Sequence, residues 1–74
     1  MGLTLKPKEL IKFLESNGYK FIRARGTSHH IYSNGEHTVS IPVHGGNEFS
    51  DKFIRRILRQ TNIHIDKLIK YLKR

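Results

Sequence analysis

The sequence contains no cysteine and no tryptophan, and only two prolines. Without cysteine there are no disulfides, no thiolate nucleophile and no cysteine-ligated zinc site. That fits a reducing compartment, and the expected location is the cytoplasm. No run approaches the ~18 apolar residues that a membrane span needs. The opening MGLTLKPKEL has no hydrophobic core of a signal peptide, so no membrane role is expected. Acidic residues are scarce as well. Six Asp and Glu stand against 14 Lys and Arg, for a net charge of +8 over 74 residues. So basic a small chain has nucleic acid as its default polyanionic partner, with an acidic protein surface as the rival.

At this length residues 1–74 are expected to form a single domain. Such a chain buries only about 60% of its unfolded surface. Pro7 and Lys8–Ser16 read as a first helix, because Pro suits the first turn and Leu10, Ile11, Phe13 and Leu14 share a face. Asn17-Gly18 ends it. Tyr19–Arg25 and Ser28–Ser33 read as strands around a turn at Arg25-Gly26-Thr27. Asn34-Gly35 signals a tight type I′ hairpin. His37–Val43 alternates apolar and polar residues and reads as a third strand, at a sheet edge because Pro42 cannot donate to a ladder. Ser50 is a suitable cap for a helix over Asp51–Gln60, with Phe53, Ile54, Ile57 and Leu58 as its apolar face. Thr61-Asn62-Ile63 interrupts the pattern. Ile65–Leu72 then reads as a short helix with Ile65, Leu68, Ile69 and Leu72 on one side. The expected class is α+β: an α-β-β-β-α order, a three-stranded antiparallel sheet with helices on one face, and a short C-terminal helix.

The stretch Arg25-Gly26-Thr27-Ser28-His29-His30-Ile31-Tyr32 carries the chemistry. Imidazole titrates near neutral pH and suits general acid–base work, worth roughly 10²–10⁴ in rate. Lys20, Arg23 and Arg25 precede the histidines and are natural phosphate contacts. RNA phosphodiester cleavage runs without metal when a base takes the 2′-hydroxyl proton. A zinc site among His29, His30, His37 and His44 is disfavoured, with no cysteine and no helical His-x₃-His pair. No cofactor is expected. His37 with Glu36, and His44, read as loop surface, and His64 as structural. Lys52, Arg55 and Arg59 share a helical face that suits either a phosphate backbone or ordinary solvent, with Arg56 one position further round. Lys67, Lys70, Lys73 and Arg74 read as a solvated tail face. Strand parity leaves open which histidine faces solvent. If Ile31 faces the helices, so does His29.

Taken in order, the ESNGY helix end, the Gly-x-Ser-His-His-Ile-Tyr strand, the strand ending Ile-Pro-Val-His and the helix Phe-Ile-Arg-Arg-Ile-Leu-Arg-Gln resemble the HicA toxins of bacterial HicAB toxin–antitoxin pairs. The likeness spans about Lys8 to Leu72. It implies a fold like that of double-stranded-RNA-binding domains, and an endoribonuclease that cleaves mRNA and inhibits translation. It implies a required histidine after Ser28, which is His29, with His30 as the alternate because Thr27 stands between Gly26 and Ser28. Beside that histidine, Lys20, Arg23, Arg25, Ser28, Lys52, Arg55 and Arg59 are the candidate RNA and phosphate contacts. The likeness also implies a HicB-like antitoxin that covers the histidine, and contact with DNA only through that antitoxin. The alternative expectation is a double-stranded-RNA-binding module that does not cut.

Overall fold

The computed structural model describes residues 2–26, 28–43 and 48–73. The expected readings of Thr27, His44 and Arg74 fall outside those residues. The element order is α1 (Pro7–Ser16), β1 (Lys20–Arg25), β2 (His29–Ser33), β3 (Thr38–Pro42), α2 (Asp51–Thr61) and α3 (Ile65–Leu72). The strands form one antiparallel sheet in the order β1-β2-β3. This is the α+β fold that the apolar spacing predicts.

The helices start and stop for local reasons. Pro7 opens α1, and the Glu9 carboxylate accepts the Lys6 N–H at 2.9 Å, satisfying a donor the helix leaves free. At its end Gly18 takes φ 90°, and the Tyr19 and Gly18 amides bond back to Leu14 and Glu15 at 3.1 Å each. That pairing brings Leu14 and Tyr19 together in the core. Ser50 caps α2 through its hydroxyl, which accepts the Phe53 N–H at 3.3 Å. Asn62 closes α2 in the left-handed region at φ 58°, and Ile63 bonds back to Leu58 at 3.0 Å. His64 caps α3, its Nδ1 accepting the Asp66 N–H at 3.1 Å.

The core gathers Leu10, Phe13 and Leu14 of α1, Ile54, Ile57 and Leu58 of α2, Leu68 of α3, and Tyr32, Val39 and Ile41 of the sheet. Tyr19 is 2% exposed, and its hydroxyl has no hydrogen-bond partner among the described residues. Such a group costs about 1–3 kcal/mol. Burial raises the Tyr19 pKa, and the negative charge of Glu36 adds to the rise. The segment before α1 is fastened by a bridge between Leu5 and Phe49, whose amides exchange hydrogen bonds. Asp51 strengthens this tie, accepting the Leu3 N–H at 3.0 Å and pairing with Arg55 Nε at 2.8 Å. Nothing in the sequence pattern announced that bridge.

Two local expectations are corrected. A type I′ turn needs positive φ at both Asn34 and Gly35, but of the two only Gly35 has it, at 97°. The loop instead spans Asn34 to His37, closed by the Ser33–Thr38 pair. Asn34 Oδ1 accepts the amides of Glu36 at 2.9 Å and His37 at 2.7 Å, which supports the longer turn. In α3, Leu68 is fully buried but Ile69 and Leu72 are 37% and 40% exposed. Tyr71 turns inward in their place, its ring meeting Phe13 edge-on at 5.2 Å.

The Leu3 hydrogen bond, and then Arg55, hold the Asp51 pKa below its ordinary value of 3.8. A lowered folded value means that the charged form stabilises the fold above the ordinary carboxylate pKa. That stability is lost as pH falls through the lowered value. Asp51→Asn is expected to reduce the melting temperature at neutral pH, with the gap to wild type closing below about pH 4. Thermal melts of both proteins across pH 2–7 check this; a gap independent of pH would contradict it.

Candidate nucleic-acid interface and histidine site

The core fixes which way each strand residue points. Tyr32 and Val39 are cross-strand partners on the core side, as are His30 and Ile41. His29, Ile31 and Ser33 therefore project from the other face, opposite Pro42, Ser40 and Thr38. Ile31 does not face the helices. It is 8% exposed yet lies outside the main core cluster, flanked across the strands by Arg23 and Ser40. The parity question is thereby answered. His29 is exposed on the open face of the sheet, and His30 is half-buried on the core side. The ring of His30 is occupied by Phe21, edge-to-face at 5.4 Å, and the same phenyl ring meets Tyr32 at 5.7 Å.

A bulge in β1 assembles the charges around His29. Phe21 pairs with Tyr32 and Arg23 with Ile31, so Ile22 is an extra residue between two successive pairs. Simple alternation would put Lys20 and Arg23 on opposite faces. The extra residue reverses the parity. Lys20 pairs with Ser33, Arg23 with Ile31 and Arg25 with His29, so all three cations share the open face with His29. Phe21 stays on the core side, where it covers Tyr32 and His30. Sequence reading placed these cations on the right strand but could not see that they share a face.

Arg25, Gly26, His29 and Ser40 line an open depression. Gly26 turns the chain at φ 65°, a conformation that suits glycine. Ser28 anchors the start of β2 by its backbone, its carbonyl accepting the Val43 N–H. The three strands contain no Asp or Glu, so no carboxylate on the sheet offsets these cations. The acids near helix starts are engaged there instead, Glu9 in α1, Asp51 in α2 and Asp66 in α3.

The basic residues of α2 separate into two groups. Arg55 is tied to Asp51 and, with Arg59, Asn62 and His64, borders the corner between α2 and α3. Lys52, Arg56 and Arg59 have no ion-pair partner among the described residues, and they border a shallow recess with Ser50 and Phe53. His37 is exposed in the hairpin loop, and His64 has the structural capping place expected of it. Among the described residues, no group of three His, Cys, Asp or Glu side chains converges to hold a metal ion, and no helix is long and apolar enough to cross a membrane.

Residues 7–63 match the family described as HicA toxin of bacterial toxin–antitoxin systems. The chain belongs to the HicA toxin family. It is thus a toxin component of such a system, and the family implies an antitoxin partner. The matched span ends before α3, although Leu68 of that helix is fully buried in the core. No curated protein and no solved structure gives a significant match to the chain.

Deleting Ile22 removes the bulge and leaves each flanking residue opposite its present partner, so Lys20, Arg23 and Arg25 stay on the open face and Phe21 stays on the core side. Affinity for polyphosphate is therefore expected to stay near wild type. Phe21→Ala, by contrast, removes two aromatic contacts worth about 0.5–1.5 kcal/mol each, and stability is expected to fall by about 1–3 kcal/mol. A polyphosphate titration and denaturant unfolding measure the two effects. Weakened polyphosphate binding in the Ile22 deletion, or unchanged stability in Phe21→Ala, would contradict these assignments.

Proposed function

We propose that this HicA-family toxin is an endoribonuclease that cleaves mRNA and so inhibits translation, with His29 as its general acid–base group. One observation carries the reading. His29 is the exposed histidine of the pair, and it stands opposite Arg25 on a basic sheet face free of carboxylates. The chemistry suited to that arrangement begins with the 2′-hydroxyl of the RNA. Its oxygen attacks the adjacent phosphorus as His29 takes the proton. The phosphorus–5′-oxygen bond breaks, and the leaving oxygen is protonated by water or by the imidazolium of His29. The products are a 2′,3′-cyclic phosphate and a 5′-hydroxyl end. Arg25 and Arg23 stabilise the charge that builds on the phosphorane, where a fixed cation is worth more than in the ground state. Lys20 lies on the same face and extends its phosphate contacts, and Ser28 is a further candidate contact at the start of β2. Lys52 and Arg59 on α2 give sequence-independent backbone affinity. Arg55, engaged with Asp51, is a weaker contributor to RNA affinity than its neighbours. His30, packed against Phe21, supports the strand rather than the reaction.

The test is induction of wild type, His29→Ala and His30→Ala in a bacterial host, with growth and mRNA integrity followed together. Arrest and mRNA fragmentation are expected in wild type and His30→Ala, provided the latter stays folded, and neither in His29→Ala. His29→Ala with full toxicity would remove the histidine from its role. Soluble wild type that binds RNA and never cuts it would favour a non-catalytic RNA-binding module.

The antitoxin partner is proposed to be HicB-like and to cover this face, with the sheet around His29 or the Arg55–Arg59 side of α2 in the contact. A small toxin offers few other surfaces on which an inhibitor can block the histidine. Hydrogen exchange of the toxin alone and in complex is expected to show protection in β1–β2 or α2. Protection confined to α1 and α3 would refute the placement.

A further inference from the structure

The depression at His29 does not end at the sheet. Ser40 of β3 lines it, and Ser40 also lines a second groove with Thr38, Val39, Phe53, Arg56, Ile57 and Gln60. That second groove runs between the outer edge of β3 and α2. Arg56 and Phe53 in turn border the recess that holds Ser50, Lys52 and Arg59. Three depressions thus adjoin through shared residues, Ser40 at the first junction and Arg56 with Phe53 at the second. Together they form one path from His29, over the β3 edge, onto α2.

We propose that this path is the track of a single-stranded RNA substrate, and that Arg56 holds a phosphate one or more nucleotides away from the bond at His29. The proposal rests on the reading of the chain as an RNA-cleaving toxin. Arg56 is exposed and has no ion-pair partner among the described residues, whereas Arg55 beside it is occupied by Asp51. A free guanidinium in a groove makes fork-shaped contacts to phosphate oxygens. The rest of the groove suits a sugar–phosphate chain: hydroxyls from Thr38 and Ser40, an amide from Gln60, and the half-buried ring of Phe53 as a surface for a base or sugar. The strand must be unpaired. Attack by the 2′-hydroxyl needs that oxygen, phosphorus and the leaving oxygen in line, an alignment that stacked A-form geometry does not provide.

The test uses the nuclease-dead His29→Ala protein with a labelled single-stranded RNA oligonucleotide, titrated over a series of salt concentrations. Adding Arg56→Gln is expected to lower affinity about tenfold, as befits loss of one charged hydrogen-bonding contact. It is also expected to reduce the salt slope by about 0.7, the value for one phosphate contact on a single strand. Lys70→Gln, which removes the same charge from the separate cleft between α1 and α3, is the control and is expected to change neither. With His29 intact, Arg56→Gln is expected to raise KM for cleavage and leave kcat in place, the pattern of a contact made equally in ground and transition states. An Arg56→Gln protein that matches its parent, or that loses no more than Lys70→Gln, overturns the track. So does one that keeps its RNA affinity and loses only the antitoxin. Cleavage by His29→Ala would instead overturn the catalytic reading, a separate result from the binding measured here.

Discussion

Burial of Tyr32, Val39 and Ile41 against the helices is the constraint on which the rest of the molecule depends. Side chains alternate along a strand, so committing these three to the core commits His29, Ile31 and Ser33 to the opposite face. A slip of one residue in β2 would bury His29 and expose Tyr32, at a cost of several kcal/mol in lost apolar burial. The position of the exposed histidine is thus held by the hydrophobic core, with no hydrogen bond to His29 needed to hold the strand in register. The Ser28 carbonyl, bonded to the Val43 amide, extends the same register one step beyond the last strand pair.

The β1 bulge solves a conflict that this constraint creates. The core needs an aromatic cover over Tyr32 and His30 at the sheet's edge, and Phe21 supplies it. The open face gathers cations from the same strand. Strict alternation could not place Phe21 inward and both Lys20 and Arg23 outward. One extra residue makes the two demands compatible, and it leaves Phe21 and Ile22 about half exposed, at 51% and 54%.

The helices were legible in the sequence because their signals are local: Pro7, Gly18, Ser50 and Asn62 lie beside clear apolar faces. The strands were legible as segments, since their boundaries follow turn residues. What could not be read was parity. Nothing in KFIRAR distinguishes a bulge from a regular strand, because the bulge is defined by its pairing with β2. Which of His29 and His30 is exposed turned on the same missing fact, which side of the sheet meets the helices. The α3 face failed for a related reason. Ile69 and Leu72 fit the helical period, but Phe13 of α1 offers an edge for an aromatic ring, and Tyr71 takes the inward place. The hairpin was misread because Asn-Gly favours a short turn, whereas the Asn34 side chain here supports two further amides.

A three-stranded sheet has two edges, and both bear on what can bind this chain. β1 has every residue exposed and one edge unpaired, which ordinarily invites another strand to pair with it. Its bulge breaks the regular row of amides and carbonyls, and its Lys and Arg side chains oppose a like-charged neighbour, so backbone pairing with a second copy is disfavoured there. β3 ends at Pro42 and lies alongside α2, with a groove lined by both. Neither edge is well suited to simple strand addition. A polyanion would then be met by side chains on the open face and along α2, where, among the described residues, the cations other than Arg55 have no ion-pair partner. An inhibitor that blocks His29 must meet the same positive field, which favours an acidic contact surface on the antitoxin. RNA and antitoxin would then compete for one set of charges, and the affinity of each would fall with added salt.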